Sequence, residues 1–75
     1  NKPLVIQVGA FSDHRNAKSL TKKLSEFKAY VERIFIGNKY LYRVRIGPLT
    51  NLDIANTIKT KLFDLGYTSS HLVVN

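Results

Sequence analysis

Residues 6–24, Ile6-Gln7-Val8-Gly9-Ala10-Phe11-Ser12-Asp13-His14-Arg15-Asn16-Ala17-Lys18-Ser19-Leu20-Thr21-Lys22-Lys23-Leu24, can be laid without a gap over residues 44–62. Gly9 falls on Gly47, Ser12 on Thr50, Ala17 on Ala55, Leu20 on Ile58, Lys23 on Lys61 and Leu24 on Leu62. The chain therefore contains one strand-turn-helix unit twice. Each opening segment alternates as a strand does and ends at a glycine, the residue most tolerant of unusual backbone angles. Ser12 and Thr50 are expected to supply the N-cap hydroxyls. Ala17, Leu20, Leu24 and Phe27 then recur at spacings of three and four, as do Ala55, Ile58, Leu62 and Leu65, so each helix has one apolar stripe. Gly66 follows as a left-handed C-terminal cap.

The same offset carries Arg33-Ile34-Phe35-Ile36 onto His71-Leu72-Val73-Val74, which adds a second strand to each half. The order β-α-β-β-α-β predicts an α+β, ferredoxin-like (RNP-like) sandwich: a four-stranded antiparallel sheet with two helices packed on one face. The other face is left open, with the first and third strands at its centre.

Strand alternation sorts the side chains between the faces. Leu4, Ile6 and Val8 are expected toward the helices and Val5, Gln7 and Gly9 away. Tyr42, Val44 and Ile46 form the third strand's core set, leaving Leu41, Arg43 and Arg45 outward. The repeat puts Leu72 and Val74 inward with Ile34 and Ile36, and His71, Val73, Arg33 and Phe35 outward. A three-residue Gly37-Asn38-Lys39 loop agrees with this and is preferred; a two-residue loop would reverse Arg33 and Phe35. The open face then mixes donors, positive charge and flat apolar area.

Seventy-five residues make one domain, of a size that buries only about 60% of its unfolded surface. The 44% hydrophobic content is ordinary for a globular chain. No apolar run reaches the roughly 20 residues that span a bilayer, and Asn1-Lys2-Pro3 leads into a strand pattern rather than a signal peptide. Without cysteine there are no disulfides, thiolates or Cys-based metal sites. Twelve Lys and Arg against five Asp and Glu give a charge of +7, which favours an anionic partner: nucleic acid, acidic lipid or acidic polysaccharide.

Val5-Ile6-Gln7-Val8-Gly9-Ala10-Phe11-Ser12, Asn16-Ala17 and Tyr42-Arg43-Val44-Arg45-Ile46-Gly47-Pro48-Leu49 together resemble the SPOR (sporulation-related repeat) domain over nearly the whole chain. The resemblance implies a non-catalytic, periplasmic envelope module that binds peptidoglycan glycan strands stripped of their stem peptides and localises to the division septum. The chain begins without Met, so a domain excised from a longer envelope protein is expected; monomer is the default state. Family binding positions fall on Gln7, Ala10, Leu41, Arg43 and His71. Ala10 and Leu41 stand where members often carry Ser and an aromatic, and His71 where an aliphatic residue is common. Phe35 or Tyr40 is expected to restore aromatic surface, and Arg45 joins Arg43 as a candidate partner for a ligand carboxylate. Gln7 can both donate and accept at acetamido or hydroxyl groups.

Other readings carry less. His14 and His71 have no carboxylate placed near them by the pattern, so no catalytic residue, metal or cofactor is expected. Asp13 and Asp53 suit helix first turns. Gly9 and Gly47-Pro48 are turn residues, not a phosphate loop. Phe11 and Leu49 close the core ends, and the helix lysines are solvated faces. An RNA-binding RRM-like module shares the order of elements, but its third strand requires closely spaced aromatics after a basic-Gly pair, whereas Tyr40-Leu41-Tyr42-Arg43-Val44-Arg45 turns its tyrosines inward. Nucleic acid is therefore disfavoured. A protein-interaction module using the sheet edge is the remaining alternative.

Overall fold

The computed structural model describes residues 3–74; Asn1, Lys2 and Asn75 lie outside the described residues. The chain runs β1 (Leu4–Phe11), α1 (His14–Lys23), a 3-10 turn (Ser25–Phe27), β2 (Tyr30–Ile36), β3 (Lys39–Leu49), α2 (Leu52–Asp64) and β4 (His71–Val74). The sheet order is β2-β3-β1-β4 with every neighbouring pair antiparallel. The expected α+β sandwich is found, with β1 and β3 central.

The core lies between the sheet and the helices. Ile6, Val8, Val44 and Ile46 from the central strands meet Ala17 and Leu24 of the first helical segment and Ala55 and Leu62 of α2. Burying each larger aliphatic side chain there contributes about 1.5–3 kcal/mol. The alanines fall where helix and sheet approach closely, and both are fully buried. Phe11, Leu49, Tyr42 and Leu72 pack around this centre.

The helix caps sit one residue later than predicted. Asp13 and Asn51, not Ser12 and Thr50, are the N-caps: Asp13 Oδ1 accepts from the Arg15 amide at 2.8 Å, and Asn51 Oδ1 accepts from Asp53 and Ile54. A short carboxylate or carboxamide reaches these free amides as well as a hydroxyl does. The two caps keep the offset of the internal repeat. At the other end of α2, Gly66 (φ 98°) donates to Phe63 and Tyr67 donates to Leu62. These are the paired bonds of a Schellman motif, as the glycine implied. Leu65, the last member of the predicted stripe, is instead the C-cap and 58% exposed.

Two irregularities in the β1–β3 ladder set which side chains face outward. Gln7 pairs with Arg45 but Gly9 with Val44, so β1 carries an extra residue at Val8. Beyond that bulge the alternation reverses. Gly9, expected outward, faces the helices: a Cβ on it would lie 3.3 Å from the Phe11 ring and 3.7 Å from Leu20. Ala10 takes the outward position opposite Arg43. The second irregularity lies at Gly47-Pro48, joined by a cis peptide, between the Ile6–Ile46 and Leu4–Leu49 pairs.

The β2–β3 turn is also corrected. Ile36 pairs with Lys39 across a two-residue Gly37-Asn38 turn whose φ angles are 56° and 63°. Two positive φ values define the type I′ turn, whose twist matches that of the strands it joins. Arg33, opposite Tyr42, and Phe35, opposite Tyr40, consequently lie on the helix side of the sheet, not on the open face. Tyr30, Glu32 and Ile34 take the open face in their place.

Candidate functional site

The bare side of the sheet collects side chains from all four strands. β3 presents Leu41, Arg43 and Arg45; β1 presents Val5, Gln7 and Ala10. β4 adds His71 opposite Gln7 and Val73 opposite Val5. On the far side, Glu32 lies opposite Arg43 and Ile34 opposite Leu41. Of the sequence-predicted positions, Gln7, Ala10, Leu41, Arg43, Arg45 and His71 share this surface and Phe35 does not.

A polar chain crosses its centre. Arg45 donates from Nε and Nη2 to Gln7 Oε1, at 3.2 and 3.1 Å. Its Nη1 lies 3.5 Å from Glu32 Oε1, and the same carboxylate oxygen is 3.9 Å from Arg43 Nε. The Arg45 side chain is only 4% exposed, and a charge so far from water is held there by these partners. Arg45 is thus engaged inside the face rather than offered to solvent. Arg43 differs: its side chain is 27% exposed, and its Nε has no hydrogen-bond partner among the described residues.

Apolar surface flanks this chain. Leu41 and Ile34 are partly buried neighbours across β2–β3. Val5 is buried outside the helix-side cluster, so the open face has a small apolar floor of its own. His71 is exposed, with Nδ1 3.3 Å from the Ser69 carbonyl oxygen. Among the described residues, no three His, Cys, Asp or Glu side chains stand close enough to hold a metal ion.

Neither Glu32 nor Ile34 is expected on this surface from the internal repeat. The available signal was the Gly37-Asn38 pair: a two-residue turn places Glu32 directly across from Arg43.

On the other side of the sheet, Phe35 and Tyr40 stack edge to face and Arg33 lies 4.5 Å from the Tyr40 ring centroid. Phe35 is 63% exposed there. His14, Val31, Arg33 and Tyr42 line a shallow hollow beside them.

This geometry defines a ferredoxin-like α+β module with one face of its four-stranded sheet left uncovered by the helices. The SPOR domain family model matches residues 1–73, and the chain belongs to that family. The crystal structure of the RlpA SPOR domain from Pseudomonas aeruginosa superposes with a TM-score of 0.87 at 27% identity, covering 96% of this chain and 99% of that one. No curated protein matches the sequence significantly. SPOR domains are peptidoglycan-binding modules associated with the cell envelope. No helix among the described residues is long and apolar enough to cross a membrane.

Proposed function

We propose that this domain binds, without catalysis, peptidoglycan glycan strands that lack stem peptides, and that it thereby brings its parent envelope protein to the division septum. The observation that carries this reading is the contrast between the two arginines of β3. Arg45 is buried and paired within the protein, whereas the Arg43 side chain stands partly open at the centre of the face.

Removing a stem peptide with an amidase leaves a free lactyl carboxylate on each muramic acid. Arg43 is the group suited to it, through charge-assisted hydrogen bonds that a peptide-bearing strand, with an amide at that position, accepts only weakly. Ala10 opposite Arg43 leaves room for the sugar. Leu41 and Ile34 offer an apolar shelf for a pyranose ring, and Gln7 and His71 extend the polar row toward β4. Discrimination then rests on one charge and on steric exclusion of the peptide.

The test is Arg43→Ala in a sedimentation assay with amidase-treated sacculi. Retention should fall by at least about tenfold, since a hydrogen bond to a charged group contributes about 1.5–3 kcal/mol. Undiminished retention by a folded Arg43→Ala domain would remove the proposed role of this face.

A further inference from the structure

We propose that Arg45 is a positioning residue that holds the Gln7 carboxamide one way round, so that Gln7 meets the ligand with its N–H donors alone. This rests on the glycan-binding reading above and specifies which ligand atoms the centre recognises.

A glutamine side chain has an accepting end and a donating end, and in isolation either can face a ligand. Here the choice is made from below. Arg45 has donors and no acceptor, and both its Nε and its Nη2 converge on Gln7 Oε1. Turning the amide over would set N–H groups against N–H groups, so the oxygen stays with Arg45 and the Nε2 amide is left for the ligand.

Burial and a second partner hold Arg45 in this position. Its side chain is 4% exposed and its remaining fork nitrogen lies 3.5 Å from Glu32. The guanidinium is thus gripped from both sides along β2-β3-β1, and its planar fork fixes the amide's orientation as a flexible ammonium would not.

Arg43, next along the same face, also donates only. At Gln7 and Arg43 the ligand is therefore met by donors, which select oxygen acceptors such as carboxylate and acetamido carbonyl, while the Glu32 carboxylate lies on the β2 side of the pair. A site built this way discriminates strongly, because a mismatched ligand leaves its donors unpaired.

The experiment compares retention of the wild-type domain, Q7E, R45K, Q7A and Q7A/R45K on amidase-treated sacculi at about 0.15 M and about 1 M salt. Glu at position 7 keeps an acceptor for Arg45 but replaces the outward donors with an acceptor. Q7E should remain folded and lose at least about tenfold in binding at both salt concentrations. R45K should weaken binding severalfold in the Gln7 background and have no further effect beside Q7A, because Arg45 acts through Gln7.

Q7E retained as well as wild type, a Q7E defect that vanishes at high salt, or an R45K loss of equal size in both backgrounds would each overturn the inference while the glycan-binding reading stands. Absence of wild-type retention would instead remove that reading, and the inference with it.

Discussion

Phe35 faces Tyr40 across the β2–β3 hairpin with ring centroids 5.1 Å apart and planes inclined at 65°. This pairing ties Phe35 to the helix side of the sheet and hands the opposite side to Glu32 and Ile34. Phe35→Ala should therefore leave retention on amidase-treated sacculi unchanged, while Leu41→Ala weakens it severalfold. A sedimentation series with both variants checks this, and the reverse ranking would contradict the β2 register.

The two positive-φ glycines at the ends of β3 and α2 should differ in their tolerance of a side chain. Gly66 has open space around it, so Gly66→Ala meets only left-handed backbone strain, about 1 kcal/mol. At Gly47 (φ 149°) a Cβ would also approach the Leu4 carbonyl oxygen to 3.0 Å and Val5 Cγ2 to 3.3 Å. Urea midpoints should place Gly47→Ala clearly below Gly66→Ala; equal midpoints would speak against the tight β1–β3 approach.

Leu62 is fully buried, and its carbonyl accepts the Tyr67 amide that closes α2. Leu62→Ala should cost about 2–5 kcal/mol. That is a large share of the stability of so small a domain, so thermal unfolding should move down by many degrees.

Asp13 caps α1, and the side chain of Arg15, reinforced by the Arg15 amide, holds its carboxyl below the ordinary aspartate range. A lowered folded-state pKa means that the unfolded chain binds the proton first. The contribution is complete above the unfolded value and is lost as pH falls through the folded one. Asp13→Asn keeps a capping oxygen without the titration, so its melting temperature should depend less on pH between about 5 and 2 than the wild type's.

The repeat made most of the architecture legible, because matching apolar positions in both halves could be satisfied only by two copies of one unit around a shared core. Gln7, Leu41, Arg43 and Arg45 follow onto the open face by simple alternation, which holds wherever the ladder is regular. Simple alternation misplaces Gly9 because the bulge at Val8 leaves no trace in a hydrophobic pattern where both neighbours are small or apolar. The internal repeat misplaces Phe35 because at β2 it conflicts with the two-residue turn that Gly37-Asn38 forms. β2 is an edge strand whose two faces are both partly apolar, so its hydrophobicity could not fix its register, whereas Gly37-Asn38 could. The burial of Arg45 was invisible for a further reason: its partner Glu32 reaches the same face only in the two-residue register.

The most direct test of the central claim is the ratio of domain bound to sacculi after and before amidase treatment, measured in parallel for wild type and Arg43→Ala with single-stranded RNA as competitor. The account predicts a wild-type ratio well above one, undisturbed by RNA, that collapses toward one when Arg43 is removed. A ratio near one for the wild type, or displacement of the wild type by RNA, would contradict it.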